Sequence, residues 1–180
     1  MENLLTAAKT KWVADPAHSE IVFKVKHLMI TNVKGEFRKF NAAIDGEDFT
    51  NAEIHASIDT ASIFTNDDNR DGHLKAADFF DVENYPSINF TGTSFKKTDD
   101  ENYELTGNLT MKGISKEVKF HVEFGGINKD PWGNEKAGFS LSGKIHRKEW
   151  GLNWNAALET GGVLLSDEVR INAEVQFVKQ

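Results

Sequence analysis

The sequence predicts an all-β protein whose strands form an eight-stranded antiparallel up-and-down barrel. Apolar and polar residues alternate with a period of two along most of the chain, as in strands with one buried face. Turn-forming residues separate the alternating runs. The runs number eight, and a closed barrel of that many strands can enclose one small ligand. A sandwich of two sheets would give a similar pattern, and periodicity does not distinguish the two.

The first predicted strand illustrates the alternation. Ile21, Phe23 and Val25 fall on one face and Lys24 on the other, so we expect one face to be buried and the opposite face to be exposed to solvent. The second strand changes phase near residues 38–39, which predicts a bulge of the kind that helps a sheet to close. In chain order, the predicted strands cover residues 19–28, 33–44, 52–63, 88–95, 103–111, 116–124, 136–146 and 168–178.

Turn signals and two irregular stretches divide the strands. Turns are predicted at residues 45–46, 99–100, 112–113 and 125–126. Residues 66–77 carry helix-capping side chains and predict a short helix that begins after Asp67 or Asp68, in the long loop after the third strand. Residues 150–163 are aromatic at first and glycine-rich at the end, and we interpret them as a lid or crossing segment.

Length, charge and cysteine content limit the possible functions. The chain has 180 residues and no cysteine, which predicts one domain over residues 1–180 and excludes disulfides and thiolate metal sites. Its net charge of -7 argues against a nucleic-acid partner and against binding to anionic membrane surfaces. No apolar run is long enough to span a bilayer or to form a signal peptide. We therefore expect no stable membrane insertion and a cytoplasmic location, or a periplasmic one if a signal has been removed.

The six histidines do not have the spacing of a metal site, so no metal and no other cofactor is predicted. His55 and His121 fall on outward faces and are expected to be solvated. His27 lies in phase with Val25 and points inward at one end of the barrel. We favour a hydrogen-bonded core histidine over a ligand contact here, because buried polar groups find partners.

One polar cluster, Arg70, Asp71 and His73, suggests an enzyme hypothesis. The arginine could hold an anion while the histidine and the aspartate exchange a proton. The competing interpretation is a clasp, in which Asp71 and Asp78 cap a short helix and Arg70 pairs locally to pin the loop over the barrel. We favour the clasp, because no nucleophile, base and orienting group accompany the cluster. No catalytic residue is predicted.

Several segments of the sequence resemble one family. The long loop contains Arg-Asp-Gly-His-Leu at 70–74, Asp-Phe-Phe-Asp at 78–81 and Tyr-Pro-Ser-Ile-Asn-Phe at 85–90. These segments resemble the signature of the YceI-like proteins, and further matching segments occur in the family's order at 12–19, 26–28, 33–37, 107–118, 147–152 and 166–169. The resemblance covers nearly the whole chain, with Trp150 where a phenylalanine is common.

The resemblance implies a lipocalin-like barrel whose interior sequesters a long isoprenoid or fatty chain, often in a homodimer, and it supplies no catalytic residue. The expected ligand is a polyisoprenoid, an isoprenoid quinone or a fatty acid derivative. A packed, non-binding interior and an enzyme acting through Arg70, Asp71 and His73 remain the alternatives. The residues predicted to form the pocket wall are Phe23, Val25, His27, Phe37, Phe90, Leu105, Leu109, Phe120, Phe139, Leu141 and Trp150.

Overall fold

The computed structural model describes residues 10–158 and 164–180. These residues form a single antiparallel sheet and one α-helix, α1 (Asp68–Lys75). The strands are β1 (Lys11–Ala14), β2 (Glu20–His27), β3 (Thr31–Phe37), β4 (Phe40–Asp45), β5 (Glu53–Asp59), β6 (Ile63–Phe64), β7 (Ser87–Lys97), β8 (Asn102–Met111), β9 (Ile114–Lys129), β10 (Glu135–His146) and β11 (Leu165–Lys179).

The sheet closes on itself as an eight-stranded barrel. Its order is β1-β4-β5-β7-β8-β9-β10-β11, and β11 pairs with β1 to complete the ring. Three further strands extend this ring: β2 also pairs with β11, β3 with β2, and β6 with β3. Each of the first three barrel strands is therefore interrupted and consists of two consecutive segments. The first strand is β1 followed by β2, the second is β3 followed by β4, and the third is β5 followed by β6. The predicted barrel with a helix after its third strand is confirmed, and ring closure decides against the two-sheet sandwich.

The predicted phase change in the second barrel strand corresponds to the break between β3 and β4. Phe37 ends β3 and Phe40 begins β4, and both side chains line the barrel interior. At the break, the Arg38 guanidinium lies 3.5 Å from the centre of the Phe64 ring. The irregularity therefore keeps large apolar residues inward on both sides of a local change in register.

One expectation about strand boundaries is wrong, and one strand was not predicted. The predicted turn at residues 125–126 lies inside β9, where Gly126 pairs with Gly138 beside a register shift. The turn lies further on, because the Asp130 carboxylate accepts hydrogen bonds from the backbone N–H groups of Trp132 and Asn134, at 2.9 Å each. The short strand β1 was not predicted. It forms because its backbone pairs with both β4 and β11, which local sequence does not reveal.

Different elements cover the two ends of the barrel. A 3-10 turn, Phe49–Asn51, connects β4 to β5 and places the Phe49 ring 5.5 Å from those of Trp12 and Phe139 and 5.8 Å from that of Phe124. The loop with α1 lies at the opposite end of β5, as does the 3-10 turn Arg147–Trp150 that follows β10. We call these the Phe49 end and the α1 end. No helix among residues 10–158 and 164–180 is long and apolar enough to cross a membrane.

Candidate ligand-binding cavity

The barrel encloses a cavity of about 600 Å³. This volume lies within the range typical of small-molecule sites, about 300–1,000 Å³. Its wall is overwhelmingly apolar and is built from the inward-facing residues of the barrel strands. The interior is therefore a cavity and not a filled core.

Most of the predicted wall residues lie on this cavity. Ten of the eleven line it: Phe23, Val25, His27, Phe37, Phe90, Leu105, Leu109, Phe120, Phe139 and Leu141. Whether they contact a lipid remains a prediction. Trp150 departs from the set: it is 1% exposed and its indole N–H donates to the Leu109 carbonyl oxygen at 2.9 Å. The 3-10 turn after β10 takes it out of the inward phase of that strand, so it packs in the core without lining the cavity.

Three phenylalanine rings of the wall lie against glycines of neighbouring strands. A Cβ atom added to Gly35 would lie 2.3 Å from the ring of Phe23, and one added to Gly143 would lie 2.5 Å from that of Phe120. Gly107 stands in the same relation to Phe90, at 2.4 Å. Each ring occupies the space that a neighbouring side chain would fill, which holds it close to the wall.

Apart from His55, an exposed residue of β5, the polar side chains of the wall gather at the α1 end. The wall at the Phe49 end carries Phe49, Phe95, Phe139 and Phe177, while His27, Thr65, Asn69, Arg70, His73 and Arg147 line the cavity towards the α1 end. The cavity is therefore apolar at one end and amphipathic at the other. Such a gradient suits a molecule with a long apolar tail and one polar end.

Thr65 organises the loop that carries α1. The Asp67 side chain caps the helix by accepting from the Arg70 backbone N–H at 3.1 Å. Asp71 is buried and its carboxylate accepts from the Thr65 backbone N–H at 2.8 Å. The Arg70 guanidinium donates to the Thr65 hydroxyl at 2.8 Å and to the Thr65 carbonyl at 2.7 Å. These bonds tie the helix to the end of β6, an arrangement that suits a clasp.

Neither Asp71 nor Asp78 caps the helix as expected. Asp71 lies inside the helix and binds Thr65, and the N-cap is Asp67. Asp78 lies beyond the helix C-terminus, and its carboxylate is 3.2 Å from Nε2 of His73. The His73 ring also makes edge contacts with Phe79 and Trp154, at centroid distances of 5.1 and 4.9 Å. His73 therefore links α1 to the segment after β10, and the cover over this end of the barrel is held together by aromatic packing.

The three residues of the enzyme hypothesis do not converge on one point. Arg70 and His73 reach the cavity wall, whereas Asp71 is turned onto Thr65 and does not line the cavity. Within the described part of the chain, no group of three or more acidic or histidine side chains could hold a metal ion. The arrangement offers hydrogen-bond donors at one end of an apolar tube, and it does not bring Arg70, Asp71 and His73 together as the enzyme hypothesis requires.

Sequence reasoning missed Arg147, which is 4% exposed and lines the cavity. Its Nε donates to the Ser166 carbonyl at 2.9 Å, and its Nη1 donates to the carbonyls of Leu152 and Trp154 at 2.6 and 2.9 Å. Burial lowers the pKa of this guanidinium, and the charge of Asp167 opposes that effect. A signal was present, because Arg147 continues the inward phase of β10 two residues after Ile145.

Comparisons with known proteins are consistent across sequence and structure. Residues 12–177 match a model of the YceI-like domain. UPF0312 protein SAB2563 of Staphylococcus aureus is 42% identical over 171 residues, which cover 93% of this chain and 97% of that protein. A solved YceI protein of Campylobacter jejuni is 38% identical, with a TM-score of 0.75 over 86% of this chain and 90% of its own. A polyisoprenoid binding domain from Saccharophagus degradans has a TM-score of 0.74 at 15% identity, over 94% and 98% of the two chains, which shows a common fold.

Proposed function

The chain belongs to the YceI-like family, and we propose that it binds a long-chain apolar lipid inside the barrel without transforming it. The ligand class is a polyisoprenoid, an isoprenoid quinone or a fatty acid derivative. The observation that carries the proposal is the cavity of about 600 Å³ with its almost entirely apolar wall. The Saccharophagus degradans domain of the same fold, described as polyisoprenoid binding, supports it.

The energetics favour a long tail over a small apolar molecule. Each methylene moved from water into the cavity contributes about 0.8 kcal/mol, so about ten of them contribute about 8 kcal/mol. Association costs about 4–15 kcal/mol in lost translational and rotational freedom. A short hydrocarbon would not offset that cost, whereas a long chain can bind tightly with few polar contacts.

The absence of catalysis in this proposal is supported by the orientation of Asp71 towards Thr65 and away from the cavity. A role in transport, assembly as a homodimer and a cytoplasmic location remain predictions. They are independent of the proposal that the barrel holds a lipid.

Ligand extraction and a matched pair of variants test the proposal. Organic extraction of gently purified protein should release an isoprenoid or fatty compound, and a fluorescent polyene should bind saturably to the emptied barrel. Ala56 lines the cavity, whereas its neighbour Ser57 is exposed on the outer face of β5. Ala56→Phe should weaken polyene binding at least tenfold and Ser57→Phe should leave it unchanged. An empty extract together with no saturable binding would refute the carrier function.

A separate experiment tests the absence of catalysis. The bound compound should have the same mass and chromatographic retention before and after long incubation with the protein. His73→Ala should change ligand retention or melting temperature, because it removes the contacts with Asp78, Phe79 and Trp154. Conversion of the ligand by the parent that disappears in His73→Ala, with melting unaffected, would establish an enzyme.

A further inference from the structure

Arg147 carries a donor without an acceptor. Its Nη2 atom is buried and has no hydrogen-bond partner among the described residues, although its Nε and Nη1 donate to three backbone carbonyls. Buried donors are almost always satisfied, and charged ones most of all. Since Arg147 also lines the cavity, a bound molecule is a natural source of the missing acceptor.

The charge of Arg147 is incompletely balanced as well. Its three partners are neutral carbonyl groups. Asp167, the acid whose charge acts on it, is itself engaged with Nδ1 of His146 at 3.2 Å and with the backbone N–H of Lys148 at 3.1 Å. A buried cation without a direct counter-ion favours an anionic ligand group, and a planar guanidinium suits an oxyanion in particular.

Building on the proposed lipid carrier, we propose that its ligand has an oxyanion head, a carboxylate or a phosphate, that binds at Arg147 and reorients its guanidinium so that the buried Nη2 donates a hydrogen bond to it. The head lies at the α1 end, where Arg70 and His73 also reach the wall, and the tail extends towards Phe49. This orientation places each part of an amphiphile against the wall of matching polarity. A hydroxyl or a quinone carbonyl could also accept from Nη2, but only an oxyanion would balance the buried charge as well.

Competition among amphiphiles with equal tails tests this site. Each compound is titrated against protein that holds a fluorescent polyene, and displacement of the polyene is measured. The first matched pair is hexadecanoic acid and hexadecanol, and the second is farnesyl phosphate and farnesol. We expect at least one of the two oxyanions to compete about tenfold more strongly than its matching alcohol, because a charge-assisted hydrogen bond is stronger than a neutral one. A preference for hexadecanoic acid over hexadecanol indicates a carboxylate head. A preference for farnesyl phosphate over farnesol indicates a phosphate head. Arg147→Met should abolish the preference, and Arg170→Met, a substitution on the outer face, should retain it.

The outcomes separate the head-group inference from the carrier function. Equal competition by oxyanion and alcohol in the parent would overturn the inference and leave the lipid carrier intact. No competition by any of the four compounds would count against the carrier itself. If Arg147→Met does not fold, the series measured on the parent still decides, because it requires no variant.

A second, independent observation concerns the outer surface at the α1 end. The turn between β2 and β3 exposes three consecutive apolar residues, Leu28, Met29 and Ile30, at 40%, 51% and 77%. Leu28 and Met29 have φ values of 54° and 64°, a region where glycine or asparagine is far less strained. The fold thus holds apolar side chains in water on a strained turn, at a cost to its own stability.

A row of cationic side chains crosses the outer face of the barrel on the same side as this turn. Lys34, Lys24, Arg170 and Lys144 lie directly opposite one another on four adjacent strands, about 5 Å apart. Glu168 pairs with Arg170 at 3.3 Å and with Lys144 at 3.9 Å, whereas Lys24 and Lys34 form no ion pair with a described residue. Like charges placed opposite one another destabilise a sheet. This row is unexpected in a chain of net charge -7.

We infer that this surface, the 28–30 turn with Lys24, Lys26 and Lys34, docks on an anionic lipid bilayer. The apolar residues enter the interfacial region while the lysines face the anionic head groups, a combination that supports reversible membrane binding. Screening limits the effect of charges elsewhere on the chain to about a Debye length. The acids nearest the three lysines, Glu36 and Glu168, are paired with Arg38 and Arg170. Docking here would set the α1 end of the cavity beside a source of lipid.

Co-sedimentation with vesicles tests the docking surface. Binding should be stronger to phosphatidylcholine vesicles containing phosphatidylserine than to phosphatidylcholine alone, and high salt should reduce it. Ile30→Ser and Lys24→Glu should each reduce binding several-fold. Trp132 is 83% exposed at the Phe49 end, so Trp132→Ser is the matched control and should bind normally. Equal binding to both vesicle types, no binding at all, or loss of binding in Trp132→Ser alone would overturn the inference.

Discussion

Asp71 is the residue whose removal tests the clasp most directly. Asp71 and Thr65 are 7% and 5% exposed, and the carboxylate accepts from both the backbone N–H and the hydroxyl of Thr65. Asp71→Ala leaves the buried N–H without an acceptor, which costs about 1–3 kcal/mol. The hydroxyl can rotate and recovers part of its loss, so the total is about 2–4 kcal/mol.

This cost converts into a measurable change in melting temperature. For a domain of this size, each kcal/mol lowers the melting temperature by about 2–4 °C, so Asp71→Ala should melt about 4–16 °C below the parent. Thermal unfolding followed by circular dichroism measures the shift. Release of a bound fluorescent polyene should also accelerate, because the loop that Asp71 holds covers the α1 end of the cavity.

Asp68→Ala provides the control for this prediction. Asp68 lies in the same helix but is exposed, and its favourable position near the helix N-terminus contributes less than about 1 kcal/mol. If Asp71→Ala melts within about 1 °C of Asp68→Ala and retains the polyene equally well, the loop is not held by this carboxylate and the clasp interpretation fails.

Three further predictions follow from the packing and the charges. Phe120→Asp places a charge in the apolar cavity and should cost several kcal/mol or abolish lipid uptake, whereas Lys119→Asp on the outer face should do neither. Gly35→Ala should push the Phe23 ring into the cavity and weaken polyene binding, while Gly72→Ala, where a Cβ meets nothing within 4 Å, should raise the melting temperature slightly. The hydrogen bond with His18 holds the pKa of Asp15 below its ordinary 3.8. Asp15 therefore stabilises the fold fully above that pH and loses its contribution as the pH falls through the lowered pKa. In Asp15→Asn, the melting temperature should decrease less steeply as the solution is acidified.

The barrel could be predicted from the sequence because its strands have one face inside and one outside. Phe120 and Val122 are buried while Lys119 and His121 are exposed, and a period of two records that difference directly. The helix was predictable for an equally local reason, since Asp67 precedes it and caps it. Where a feature is decided by neighbours in the chain, the sequence contains the information.

Features decided by distant pairing could not be predicted in this way. Residues 125–126 have the composition of a turn, yet β10 supplies backbone partners that keep β9 extended through Gly126. Arg147 continues the inward phase of β10, but the carbonyl groups that accept from its guanidinium, those of Leu152, Trp154 and Ser166, lie outside that strand. The periodicity of β10 therefore does not reveal how this charge can be buried. Tertiary contacts overrode local preference at both positions.

The existence of a cavity is also a property of distant pairing. The chain contains 13 phenylalanines, enough large rings to suggest a filled interior. The rings of Phe23, Phe90 and Phe120 instead lie against glycines on neighbouring strands, an arrangement that covers the exposed backbone of a glycine in a sheet. A ring held against the wall contributes its apolar surface to the cavity without occupying the centre. Because strand register places these glycines beside the rings, another register with the same composition would remove the contacts that hold the rings against the wall.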